Sequence, residues 1–213
     1  MNEISQLNFE EIRILGALIE KSKTTPDYYP MTLNGLVTAC NQKSSRNPVV
    51  SFDNETVILA LDSLKKKQLI ANVIGDGRTL KYRHTLAVKY PIDPAEVSVL
   101  CLLFLRGDLT AGEINSNSGR LHEYESISEV VATLNQLMSY EFPFVKQLPK
   151  ITGQKEGRYT HLFKDPELLD NMNDHLMENE TFPNINLEER LAKVEAELNE
   201  LKNRFNQLMD ELS

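Results

Sequence analysis

Hydrophobic positions along this chain fall into a pattern that occurs twice. Ile12, Leu15, Leu18 and Ile19 recur at helical spacing, and Val97, Leu100, Leu103 and Phe104 repeat that stripe. Leu33, Leu36, Val37 and Cys40 predict a second helix from Thr32, with a counterpart that starts over Thr110 to Ile114. Val57, Leu61 and Leu64 predict a third helix over residues 54–67, matched by Val130, Leu134 and Leu137 within 126–140. Each trio is closed by a strand-turn-strand reading that carries Tyr-x-His. The two copies are Lys81-Tyr82-Arg83-His84 and Arg158-Tyr159-Thr160-His161. Three helices and then a two-stranded ribbon is the winged-helix order. The expected fold class is therefore mainly α with small β-hairpin wings (α+β): two tandem winged-helix domains followed by a C-terminal coiled-coil helix.

Local chemistry sets the boundaries. Asn8 with Glu11 three residues on is a capping box, and Asp93-Pro94-Ala95-Glu96 repeats it with proline at the first helical position. Residues 24–30 hold two prolines and a Thr-Thr pair, which forbid a helix through them. Asn34-Gly35 alone would suggest a tight hairpin turn. Its partner segment lacks that dipeptide, so a helix is the better reading. Asp53 is the cap of the third helix, and Lys65-Lys66-Lys67 suit the negative end of its dipole. The wings follow as residues 69–74 and 79–85 about the turn 75–78, and as 144–148 and 158–163 about a longer tip. Domains are expected at 1–90 and 91–165, then a polar linker over 166–186.

Residues 187–213 carry a heptad stripe. Leu187, Leu191, Val194, Leu198, Leu201, Phe205, Leu208 and Leu212 alternate steps of four and three without a fault. Arg190 with Glu195, and Glu197 with Lys202, then become oppositely charged flanking pairs between parallel strands. The stripe predicts self-association into a dimer or other homo-oligomer; the alternative is a helix folded back on its own domain.

Composition adds what the pattern does not. The 213 residues are 41% hydrophobic and 25% charged, an ordinary globular balance. The start of the chain does not read as a signal peptide, and no apolar run nears the ~20 residues a bilayer span needs. The expected location is the cytoplasm, with no membrane contact. Cys40 and Cys101 sit inside apolar helical patterns without a CxxC partner, which predicts neither disulfide nor zinc site.

The net charge of −8 is unevenly spread. Residues 1–90 carry 12 Lys and Arg against 9 Asp and Glu, whereas residues 91–182 carry 7 against 15. Only the first domain has a balance suited to a phosphate backbone. Its third helix nevertheless opens on Asp53, Asn54 and Glu55, and the second domain's third helix has no basic residue. The remaining cationic candidates are the connection Asn41, Gln42, Lys43, Ser44, Ser45, Arg46 and Asn47, with the wing residues Arg78, Lys81 and Arg83. Asn, Gln, Ser, Lys and Arg are the side chains that contact phosphates and base edges. They are also what a rigid turn uses, with Asn41 and Gln42 capping the second helix and Arg46 paired to Asp53 or Glu55.

His84 and His161 occupy matched wing positions, which points to packing or a satisfied hydrogen bond. Ser44-Ser45 beside Lys43 reads better as polar loop than as nucleophile and base. Gly107, within Arg106-Gly107-Asp108, reads as a helix C-cap. No nucleophile-base order, phosphate-cradling glycine loop or metal-ligand spacing emerges, so neither enzyme chemistry nor a metal or cofactor is expected.

Several segments together resemble the YceH-like family of uncharacterised bacterial proteins. They are Thr25-Pro26, Tyr29-Pro30, Asn34-Gly35 and Val37-Thr38-Ala39-Cys40-Asn41-Gln42-Lys43, with Arg46 and Pro48-Val49. Glu20-Lys21, Leu105-Arg106-Gly107, Thr110, Gly112-Glu113, Arg158-Tyr159 and His161-Leu162-Phe163 extend the likeness over nearly the whole chain. The resemblance implies a tandem winged-helix fold and carries no activity. Function at this level is an expectation from charge and fold: a DNA-binding or transcription-regulating protein with double-stranded DNA on the first domain and a protein on the acidic second. The alternative is a protein-interaction scaffold, the use ScpB-like subunits make of winged helices, without direct DNA contact.

Overall fold

The computed structural model describes residues 4–74, 79–150, 156–164 and Lys202. The chain divides into two compact units, Met1–Asp170 and Asn171–Ser213. Of the second, Lys202 is helical. The heptad stripe from Leu187 to Leu212, the linker and Arg78 lie outside the described residues.

The first unit is mixed α and β, with seven helices and two antiparallel hairpins among the described residues. Its first half runs α1 (Phe9–Thr24), α2 (Leu33–Cys40), α3 (Asn54–Lys66), then the strands β1 (Ile70–Ile74) and β2 (Leu80–His84). A short α4 (Leu86–Lys89) leads to the second half: α5 (Pro94–Arg106), α6 (Ala111–Ser118), α7 (Ile127–Ser139), β3 (Val145–Gln147) and β4 (Tyr159–His161). The helix starts sit where the caps place them. Asn8 and Glu11 exchange hydrogen bonds at 2.9 and 2.7 Å, and Asp93 and Glu96 repeat the exchange at 2.8 Å. Thr32, Asp53, Thr110 and Ser126 cap α2, α3, α6 and α7, and the short α4 has no side-chain cap. Asn34 and Gly35 are helical, as the repeat argument requires. Residues 24–30 contain a single 3-10 turn, Pro26–Tyr28.

The hairpins share a feature that pattern alone does not reveal. Ile70 pairs with His84 and Val145 with His161, so the two histidines hold equivalent registers. In the first copy Met31 and Tyr82 exchange backbone hydrogen bonds at 3.0 and 2.7 Å; in the second Leu109 and Tyr159 do so at 3.2 and 2.8 Å. Each ribbon thus gains a one-residue third strand from the residue just before a helix cap.

The halves meet along α1 and α5, the equivalent first helices. Gly16 is where they cross, since a Cβ there would lie 2.9 Å from Leu105 Cδ2 and 3.0 Å from Phe104 Cβ. The Cys101 thiol donates to the Gly16 carbonyl across the same contact, at 3.5 Å. One hydrophobic core runs through both halves, from Leu15 and Leu61 to Leu100, Leu134 and Phe163. No helix among the described residues is long and apolar enough to cross a membrane.

Candidate functional site

The connection from residue 41 to 47 starts where α2 ends. Asn41 is the C-cap, and its side chain brackets the loop by donating to the Phe52 carbonyl and accepting from the Phe52 N–H, both at 2.8 Å. Ser45 then takes a left-handed conformation, φ 58°. That turn sends Arg46 inward.

Arg46 is a buried anchor, with 0% of its side chain exposed. Its Nη1 and Nη2 donate to the two Glu20 oxygens at 3.0 and 2.6 Å. Nε and Nη2 donate to the Ala39 carbonyl, Nη1 to the Ser45 carbonyl and Nη2 to Gln42 Oε1. The acidic partner is therefore Glu20 on α1, and not Asp53 or Glu55 at the start of α3. Burial pushes the Glu20 carboxyl up, but the Arg46 hydrogen bonds and charge, with Lys21 beside them, outweigh it and hold the group below its ordinary range. A guanidinium spent in this way cannot grip a duplex.

The neighbouring residues fasten the loop to the second half. Asn47 N–H donates to the Leu105 carbonyl at 2.8 Å, and Arg106 Nη2 donates to Ser45 Oγ at 3.0 Å. Gln42 Oε1 also accepts from Lys21 Nζ at 3.1 Å. Of the ten candidate residues, Lys43, Ser44, Ser45, Asn47 and Arg83 are exposed, whereas Asn41, Gln42 and Lys81 are half-buried. Lys81 and Arg83 lie on β2.

Behind the loop lies a polar cavity of about 170 Å³, walled by α1, the connection, the end of α5 and the end of α6. A groove of about 370 Å³ shares Ser45, Arg106 and Asn117 with it and is closed by Arg158. Arg158 repeats the buried anchor in weaker form, donating to both Glu113 oxygens at 2.9 and 3.0 Å. The sequence marks none of Glu20, Arg106 or Arg120 as site residues, because each belongs to a different helix end.

The solvent face of α3 is the other informative surface. Glu55, Ile58, Leu59 and Asp62 stand at i, i+3, i+4 and i+7, on one side of the helix. Ile58 is 42% and Leu59 65% exposed. In α7 the exposed positions are Ile127, Ser128, Ala132, Asn135, Gln136 and Ser139, without a cation. Lys67 is diverted from the basic end of α3 to the buried Glu11, at 2.8 and 2.7 Å.

The remaining candidates are structural. His161 is 1% exposed, with its ring edge-on to Phe104, and His84 Nε2 lies 3.3 Å from Ser22 Oγ. Both cysteines are free and buried, and burial pushes the Cys40 thiol to about 12 and Cys101 further up. Gly107 is the C-cap of α5 at φ 82°. No group of three metal-ligating side chains occurs among the described residues.

Comparison with known proteins fits the extent of this architecture. A UPF0502 protein of Geotalea uraniireducens is 49% identical over 163 residues, covering 76% of this chain and 74% of its own. A UPF0502 protein of Solibacter usitatus is 42% identical over 203 residues, covering 95% and 96%, and one of Shewanella baltica is 45% identical over 163 residues, covering 74% and 73%. The family model described as "Protein of unknown function, DUF480" matches residues 7–154, from just before α1 to just beyond β3. The chain belongs to this DUF480/UPF0502 family of uncharacterised bacterial proteins.

Proposed function

We propose that this protein is a non-enzymatic interaction scaffold of two tandem winged helices, which docks a basic amphipathic helix of a partner protein on the solvent face of α3. The observation that carries the reading is that face: two exposed aliphatic side chains, Ile58 and Leu59, flanked by the Glu55 and Asp62 carboxylates. A helix that reads the major groove needs Arg, Lys, Asn or Gln near its N-terminus. Here carboxylates would meet phosphates, and desolvating Leu59 against a polyanion gains nothing. The stripe is bordered by Glu55 and Asp62, with exposed Lys65 and Lys66 one turn further on, and its apolar centre beside those carboxylates suits a helix with aliphatic anchors and a Lys or Arg facing them. Burial of Arg46 supports the same reading, because it removes the strongest phosphate ligand of the loop. The heptad stripe of the tail supports pairing of two chains, which would set two such faces in one assembly.

Exposed Lys43 and Arg83 favour the duplex reading, and one titration decides between them. Full-length protein is titrated with a helical Leu/Lys peptide, a Leu/Glu peptide and a short DNA duplex at low salt. The Leu/Lys peptide is expected to bind, and Ile58→Ser with Leu59→Ser to weaken it about tenfold or more, with the melting temperature held. Duplex binding that weakens steeply with salt and is lost in Lys43→Ala/Arg83→Ala, with no peptide binding, would overturn the scaffold reading.

A further inference from the structure

The seam cavity has an electrostatic imbalance that neither the fold nor α3 uses. Among its lining residues the only carboxylate is Glu20, and Arg46 already holds both oxygens of that group. Lys21, Arg106 and Arg120 line the same cavity. Lys21 is within 3.2 Å of Glu20, so part of its charge is met. Arg106 donates one hydrogen bond, to the neutral Ser45 Oγ, and Arg120 makes no hydrogen bond or ion pair with any described residue. Two arginines therefore line one small polar space without a carboxylate partner among the described residues. Ser44 and Asn117 add neutral hydrogen-bonding groups to the wall.

We infer that this cavity binds a doubly charged tetrahedral oxyanion, the phosphate group of a small molecule. Guanidinium forks match phosphate oxygens in pairs, and the uncompensated charge of Arg106 and Arg120 equals that of the dianion. The space holds a phosphate group and a few waters, and is too small for a drug-sized apolar ligand. The groove that shares Arg106 and Asn117 gives the rest of a phosphate ester somewhere to lie. Because the walls come from α1 and the connection on one side and α5 and α6 on the other, the bound anion would tie the halves together.

The test is calorimetry and thermal melting of the full chain with inorganic phosphate, with pyrophosphate and, as a separate arm, with a short DNA duplex, all at constant ionic strength. Phosphate or pyrophosphate is expected to bind and raise the melting temperature, and chloride to do neither. Arg120→Ala, which disturbs no packed group, and Arg106→Ala are each expected to weaken binding about tenfold or more. Arg120→Lys should recover part of it. Absence of binding up to 10 mM of either anion, on the order of the weakest useful affinity, overturns the site, as does binding undiminished in both arginine variants. Duplex binding that both variants abolish, without binding of the free anions, assigns the charges to a nucleic-acid backbone and also overturns it. Peptide docking on α3 is measured independently, so either proposal can fail alone.

Discussion

Arg46 Nη2 lies 2.6 Å from Glu20 Oε2, with Nη1 3.0 Å from the other oxygen, so the two groups form a closed fork under the loop that follows α2. Three backbone or amide acceptors take the remaining guanidinium protons. Removing one member strands the other in a desolvated site, which typically costs about 3–5 kcal/mol. Arg46→Ala is expected to destabilise the chain by that amount in urea unfolding. Arg46→Met with Glu20→Leu, which removes both charges and keeps volume, should recover most of the loss. A cost below about 1 kcal/mol for Arg46→Ala would show that the pair is solvated and not an anchor.

Gly16 faces two opposed effects, and their magnitudes decide the sign. Ala in a helix interior gains about 1 kcal/mol over Gly. A Cβ at this crossing would press to 3.0 Å on Phe104 Cβ and to 2.9 Å on Leu105, a buried pair on α5. Overpacking of this kind costs about 1–3 kcal/mol. Gly16→Ala is therefore expected to lower stability. Gly35→Ala is its control, because the nearest atoms to that Cβ are 3.4 and 3.7 Å away and the helical preference should win. Equal and positive shifts in melting temperature for both variants would remove Gly16 from its place as the α1–α5 contact.

These two sites mark the line between what the chain declares and what it conceals. Helix starts were legible because caps are local: Asn8, Thr32, Asp53, Asp93, Thr110 and Ser126 each bond an N–H within the next three residues. The ribbons were legible because alternation and the repeated Tyr-x-His coincide. The partner of Arg46 was not, since Asp53 and Glu55 are nearer in sequence and only the docking of α1 brings Glu20 to it. Gly16 reads in sequence as a break in an apolar stripe, and its meaning depends on α5, far along the chain. The short α4 was missed because four residues show no period, and the Met31–Tyr82 bridge because a single residue pair leaves no pattern. Loop composition could not show that Arg46 is buried against Glu20, because that depends on how the loop packs.

The tail carries a prediction from sequence alone. If the stripe from Leu187 to Leu212 pairs chains, polar residues at its centre should separate them. Leu198→Asn with Leu201→Asn is expected to convert the dimer to a monomer in sedimentation velocity. The melting of the first unit should stay unchanged. A wild-type chain that sediments as a monomer at micromolar concentration, or a variant that still pairs, would rule out the tail as the dimerising element.

The two hairpin histidines, His84 and His161, set the behaviour of the chain in acid. Burial holds His84 down at about 4, with the Lys23 and Arg83 charges adding to the effect, and burial with Lys164 nearby holds His161 well below the ordinary value of 6.5. Each ring has an Nδ1 that finds no partner among the described residues, so protonation would place charge beside an unmet donor. Both folded values lie below the unfolded one. The unfolded chain therefore binds more protons as pH falls from about 6.5 toward 4, and the stability present above 6.5 is lost through that window. At about 1.4 kcal/mol for each pH unit, His84 alone contributes a loss of about 2 kcal/mol by pH 5. Glu20, whose folded value is lowered, adds a further loss only when pH passes down through the carboxylate range. Urea unfolding at pH 7 and pH 5 should show the decline, and His84→Gln should reduce it by about the His84 share, leaving the part due to His161. If wild-type stability is the same at both values, the rings are not held neutral by their burial.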